Sequence, residues 1–121
     1  MIMKTILYAD DSISLRSLVH DVLTNVGYDV IVAEDGDDAL EKLSVEVDLV
    51  LTDLNMPKKD GIEVIKEIRN KPEHRVTPIL LLTTESEQVK KMEAKEAGAT
   101  GWIVKPFRPE KLISTIKKVL R

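Results

Sequence analysis

Hydrophobic positions along this chain alternate between short unbroken runs and runs spaced three and four residues apart. Lys4 to Ala9 holds a short apolar run, and Ser12 to Val26 then places Leu15, Leu18, Val19, Val22, Leu23 and Val26 at helical spacing. A strand followed by an amphipathic helix is predicted. The Ser12 hydroxyl can accept an orphan backbone N–H at the helix start, and Gly27 suits the left-handed position just past its end.

Tyr28 to Ala33 predicts a second strand, stopped by Asp35-Gly36, after which Ala39, Leu40 and Leu43 mark one face of a short helix. The third strand is Asp48 to Asp53. Pro57 and Gly61 punctuate the loop after it, and Ile62, Ile65 and Ile68 predict a third helix that stops before Pro72. Pro78 opens a fourth strand, whose run from Ile79 to Thr83 is apolar enough for a sheet covered on both faces. The fourth helix, from about Ser86 to Ala97, has only a thin stripe of Val89, Met92 and Ala97 and is expected to be the most loosely held. Gly98 and Gly101 lead into a last strand, Trp102 to Lys105. Pro109 then sits near the start of a closing helix that turns Leu112, Ile113, Ile116, Val119 and Leu120 inward.

Regular strand–helix alternation with right-handed crossovers requires a mostly parallel sheet with helices on both faces. The predicted fold class is therefore three-layer α/β, a flavodoxin-like (βα)5 with a parallel five-stranded sheet in the order 2-1-3-4-5.

Composition narrows the function rather than the fold. With 121 residues, one domain over 1–121 is expected, with no output domain after the closing helix. A net charge of −3 with scattered Lys and Arg gives no field to draw in nucleic acid, and no nucleic-acid partner is expected. No apolar run approaches the roughly 18 residues that span a bilayer, and Met1 to Lys4 is too short for a secretory apolar region. A cytoplasmic, monomeric protein is the expectation. Cysteine is absent, which excludes disulfides, thiolate metal sites and thiol catalysis.

The chemistry lies in where the polar residues fall. Asp10 and Asp11 end the first predicted strand, Asp53 the third, Thr83 the fourth and Lys105 the fifth. All five should meet at the carboxyl edge of the sheet, where open α/β folds bind ligands. Taken singly, each has a plain reading: Asp10-Asp11 as a turn and helix cap, Asp53 as a loop carboxylate, Thr83 as a strand-end hydroxyl, Lys105 as a solvated cation. Three carboxylates in one crevice repel, and a divalent cation removes the conflict. Hard oxygen donors suit Mg²⁺ better than a transition metal. His20 and His74 fall in a helix and a loop away from this edge and are expected at the surface.

These residues resemble the receiver domain of two-component response regulators, in particular the stand-alone chemotaxis CheY type. The likeness spans essentially the whole chain. It is carried by Tyr8-Ala9-Asp10-Asp11-Ser12, by Leu51 to Pro57 with Gly61, by Leu82-Thr83-Thr84 and by Gly101 to Phe107. The resemblance implies that Asp53 is the phosphoacceptor, taking a phosphoryl group from a histidine kinase or a small phosphodonor. It implies Asp11 as a direct Mg²⁺ ligand, Asp10 as one acting mainly through water, and the Asn55 carbonyl as a further ligand. Thr83 and Lys105 would steady the transferred group, and the Lys105-Pro106 bond is expected to be cis. Asn55 and Glu85 would tune hydrolysis.

The same resemblance couples Thr83 to an aromatic switch residue, which here is Trp102 in place of the usual Tyr or Phe. The bulkier ring is expected to turn less freely, with a shift of the fourth helix as the alternative device. A downstream target protein is expected on the face of helix 4, strand 5 and helix 5, with Lys90, Lys91, Lys95 and Trp102 as contacts; a solvated helix surface and a packing tryptophan are the plain readings. Phosphotransfer and dephosphorylation would be self-catalysed steps of signalling, not enzymatic turnover of a substrate. Three rivals remain at this point. A flavin-binding electron carrier shares the architecture, but Asp10-Asp11 would repel an FMN phosphate. An aspartate-nucleophile phosphatase would need a second acid beside Asp53-Leu54-Asn55, and a degenerate scaffold would have no use for the full acid set.

Overall fold

The computed structural model describes residues 3–84 and 88–120. Strands β1 (Thr5–Ala9), β2 (Asp29–Ala33), β3 (Leu49–Asp53), β4 (Ile79–Thr84) and β5 (Gly101–Lys105) pair in parallel in the order β2-β1-β3-β4-β5. Helices α1 (Ile13–Asn25), α2 (Gly36–Lys42), α3 (Gly61–Arg69), α4 (Gln88–Ala97) and α5 (Pro109–Val119) alternate with them. This is the flavodoxin-like α/β fold that the strand–helix alternation predicts. A short 3-10 turn, Pro72–His74, precedes β4 and was not expected.

Side chains alternate across a strand, so each strand feeds two cores. Leu7, Ala9, Val50, Ile79 and Leu81 pack with Ala39, Ile65 and Ala94 from α2, α3 and α4. Ile6, Tyr8, Leu49, Leu51, Leu80, Leu82 and Ile103 pack with Val19 and Leu23 of α1 and Leu112 and Ile116 of α5. Each aliphatic side chain buried in this way contributes about 1.5–3 kcal/mol, which fixes the register and brings the strand ends level. Helix starts are chemically marked. The Ser12 hydroxyl accepts from the Leu15 N–H at 3.2 Å, and Asp60 and Glu63 form a reciprocal capping box at α3. Gly27, just past α1, has a φ of 101° that a side chain would resist.

Four expectations need correcting. Leu18 and Val26 are exposed, because the stripe of α1 that meets the sheet is narrow and is filled by Val19 and Leu23. On α4 the phase differs from the predicted one: Val89 and Met92 face solvent, at 69% and 66% exposure, while Lys91 and Ala94 turn inward. Small Ala94 lets α4 approach the core closely, and the Lys91 stem covers apolar surface with its ammonium 5.7 Å from the centre of the Trp102 ring. Lys91 is therefore buried rather than a surface contact. His74 is likewise buried, because the 3-10 turn folds it under the sheet's amino edge. There its Nε2 donates to the Ser44 carbonyl at 2.9 Å, and its Nδ1 pairs with the Thr77 hydroxyl at 2.8 Å. His20 is at the surface, beside Asp21.

Candidate functional site

Parallel strands in this order bring the ends of β1, β3, β4 and β5 side by side. Asp10 continues β1 by one residue, its N–H donating to the Ala33 carbonyl at 3.1 Å. Asp53 is the last residue of β3 and is in register with Leu82 of β4; Thr83, one residue further, is in register with Val104. Carboxylate oxygens of Asp10, Asp11 and Asp53 lie within 4.8 Å of one another. Asp10 and Asp53 are buried and Asp11 is exposed, so the cluster has a sealed floor and an open side.

Lys105 reaches over this floor. Its Nζ stands 2.7 Å from Asp53 Oδ1 and 4.0 Å from Asp10 Oδ2. The Lys105–Pro106 peptide bond is cis. The Leu54 N–H also donates to Asp53 Oδ1, at 3.0 Å. Burial raises the Asp53 carboxyl above its ordinary value. The Lys105 ammonium pulls it back, the nearby Asp10 charge adds to the rise, and the Leu54 N–H opposes it.

Asp10 is held at three points. Its Oδ2 accepts from the Tyr8 hydroxyl at 2.6 Å and its Oδ1 from the Ser12 N–H at 2.9 Å, while Arg16 Nη1 donates to its backbone carbonyl at 2.7 Å. Burial, and then the Asp10 carboxylate, push the Tyr8 phenol far above its ordinary value, so it remains a donor. Sequence reasoning missed Tyr8 and Arg16. Strand period held the signal for Tyr8, since a residue two before Asp10 shares its face; Arg16 needed the helix placed against the loop.

The remaining predicted residues are spread around this centre. Thr83 is buried at the end of β4, with its hydroxyl 3.4 Å from the Thr84 carbonyl. It lies on the sheet face of Leu81, opposite to the face that carries Asp10, Asp53 and Lys105. Asn55 is exposed in the loop between β3 and α3. Trp102 on β5 is 40% exposed and pairs in register with Leu81. Glu85, and the predicted start of the fourth helix at Ser86, lie outside the described residues.

The donor set is three carboxylates with a backbone carbonyl nearby in sequence, with no His or Cys among the group. Oxygen donors of this kind, one side open to water, fit Mg²⁺ and the several waters it retains. Among the described residues no helix is long and apolar enough to cross a membrane.

An acid cluster at the carboxyl edge of a 2-1-3-4-5 parallel sheet, with a lysine reaching over it, defines a phosphoacceptor type of signalling domain. Residues 6–117 match the family model "Response regulator receiver domain", and the chain belongs to that family. It is 39% identical over 119 residues to the transcriptional regulatory protein CpxR of Klebsiella pneumoniae, matching 98% of this chain and 50% of that protein. The chain thus spans about half the length of such curated regulators. To the chemotaxis protein CheY1 of Helicobacter pylori it is 36% identical, over 95% of each chain. The chemotaxis response regulator CheY4 of Vibrio cholerae superposes with a TM-score of 0.91 at 45% identity, covering 98% of this chain and 100% of that one. Receiver domains of this family accept phosphoryl groups in two-component signalling, which implies a histidine kinase donor, a downstream target and an acidic pocket for Mg²⁺.

Proposed function

We propose that residues 1–121 act as one cytoplasmic, monomeric receiver that accepts a phosphoryl group on Asp53 from a sensor kinase phosphohistidine and relays it in chemotaxis signalling. The observation that supports this most is the meeting of Asp10, Asp11 and Asp53 oxygens within 4.8 Å, with the Lys105 ammonium 2.7 Å from the proposed acceptor. In the proposed transfer an Asp53 carboxylate oxygen bonds to phosphorus as the N–P bond breaks. The electron pair leaves on the imidazole nitrogen. Lys105 then exchanges its contact with the free carboxylate for one with the phosphoryl oxygens, and the Thr83 hydroxyl donates to the same group.

Bound by Asp10, Asp11, Asp53 and the Asn55 carbonyl, Mg²⁺ would supply charge neutralisation at the transferring group. Tyr8, Ser12 and Arg16 keep Asp10 from turning away. Hydrolysis of the acyl phosphate would return the domain to its starting state, with Asn55 and Glu85 tuning its rate.

The readout proposed is a change in α4, β5 and α5 that a downstream target protein recognises. Thr83 and Trp102 belong to one sheet face, which favours coupling between them. Exposed Val89, Met92 and Trp102, with Lys90 and Lys95 at their margin, offer that target an apolar surface edged by positive charge. Chemotaxis is favoured by the 45% identity to CheY4, above the 39% to the transcriptional regulator CpxR.

Incubation with acetyl phosphate and Mg²⁺ tests the reading. The intact mass should rise by about 80 Da, one phosphoryl group, and Asp53→Asn should abolish the increase. Labelling that persists in Asp53→Asn moves the acceptor elsewhere and refutes the assignment.

A further inference from the structure

Tyr8 is fully buried within the apolar layer that α1 and α5 cover, yet its hydroxyl surfaces at the floor of the acid cluster, 2.6 Å from Asp10 Oδ2. A carboxylate can only accept here, so the phenol donates. The same oxygen faces the Lys105 ammonium at 4.0 Å, and the partner oxygen accepts from the Ser12 N–H. A strand of period two explains the placement, since positions 8 and 10 share one face. What needs explaining is why an apolar layer should end in a hydroxyl aimed at a carboxylate.

We infer that the Tyr8 hydroxyl is a positioning group that offsets part of the negative charge of the cluster and thereby lowers its affinity for Mg²⁺. The inference rests on the Mg²⁺ reading of the acids given above. A hydrogen bond to an ionised acceptor strengthens with the charge on that acceptor. A cation at the cluster draws electron density from the carboxylates, so the phenol's bond to Asp10 is stronger without the cation than with it. Tyr8 therefore stabilises the metal-free protein more than the metal-bound one. A group that favours the metal-free state weakens binding by the same factor.

Orientation does not supply an opposite effect of similar size. Without the phenol, Asp10 keeps the Ser12 N–H on its other oxygen and the Arg16 guanidinium on its backbone carbonyl. Tyr8→Phe is the matching perturbation, because the ring still fills the apolar layer and only the hydroxyl is lost.

Calorimetric titration of both proteins with Mg²⁺ tests this, together with melting in chelator and in saturating Mg²⁺. Tyr8→Phe should bind Mg²⁺ more tightly, by about three- to tenfold. It should melt below wild type in chelator and recover much of that difference in saturating Mg²⁺. A purely structural role would lower both melting temperatures equally and leave the affinity alone. Equal or weaker binding by the variant overturns the inference while leaving the Mg²⁺ site standing. A wild type that binds no Mg²⁺ overturns both. A second measurement needs no variant: the buried hydroxyl proton of Tyr8 should give a downfield proton resonance that moves upfield as Mg²⁺ is added to wild type, and an unmoved resonance counts against the idea.

Discussion

Lys105→Met keeps most of the apolar stem and removes the ammonium 2.7 Å from Asp53 Oδ1 and 4.0 Å from Asp10 Oδ2. Asp53 is only 6% exposed, and the donor left to it among the described residues is the Leu54 N–H. Charge-assisted contacts of this kind contribute about 1.5–3 kcal/mol, and partial exposure of the lysine screens some of that. A loss of roughly 1–2 kcal/mol near neutral pH in chelator is expected. The pH dependence carries the sharper information. Burial already raises Asp53, and the lysine is the largest influence pulling it down, so the variant's carboxyl must rise further. A carboxyl that binds its proton more tightly when folded than when unfolded stabilises the fold fully below its unfolded value of 3.8. That contribution is lost as pH rises through the folded value. The variant's deficit should therefore be small near the unfolded value and grow as Asp53 ionises. Urea unfolding of both proteins in chelator from about pH 4 to about pH 8 measures it, with the same pair repeated in the Asp53→Asn background. A deficit that is flat with pH, or as large without the Asp53 charge, would refute the electrostatic account of this lysine.

Two further substitutions separate the site from the scaffold. Gly36→Ala would gain up to about 1 kcal/mol of helix preference in α2, yet its Cβ would collide with the Lys59 carbonyl oxygen. The loop between β3 and α3 must move, so a net loss of about 1–3 kcal/mol on thermal melting and slower acetyl phosphate labelling are expected; a stabilised variant with normal labelling would show that the loop yields freely. His74→Leu removes the contacts with Ser44 and Thr77 at the far edge of the sheet. It should lose about 1–3 kcal/mol in urea unfolding and label normally, whereas impaired labelling would mean that the two edges are coupled.

Strand order, and the gathering of Asp10, Asp53 and Lys105, were legible because they need only two facts from the sequence: which residue ends each strand, and that the strands alternate with helices. The period-two rule then carries these three to a common sheet face. Failures came where a side chain's direction depends on its neighbours. Val89 and Met92 read as the inner stripe of α4, but that helix packs through Ala94 and leaves the larger side chains outside. Lys91 read as a surface cation, though four methylenes let it cover a tryptophan while its charge sits over the ring. His74 read as surface because nothing in its own segment announces the Ser44 carbonyl, 30 residues away, that accepts from it. Tyr8 was counted as an apolar strand residue, and its ring is one; the hydroxyl alone belongs to the site.

Strand alternation also divides the labour between the two faces of the sheet. Tyr8, Asp10, Asp53 and Lys105 share the face that α1 and α5 cover, whereas Thr83 and Trp102 share the face of α3 and α4. In the proposed reading the charge change happens on one face and the readout on the other. Thr83 is the residue placed to connect them, because it is the last residue but one of its strand, one position beyond the register of Asp53, and its neighbours inward on the same face are Leu81 and, across the pairing, Trp102. A hydroxyl drawn toward the phosphoryl group would vacate space on the α4 side of the sheet. There α4 is anchored by Ala94 and by the Lys91–Trp102 contact rather than by a row of large apolar residues. The thin anchoring that leaves Val89 and Met92 in solvent is thus what would let a small movement at Thr83 become a displacement of a whole helix.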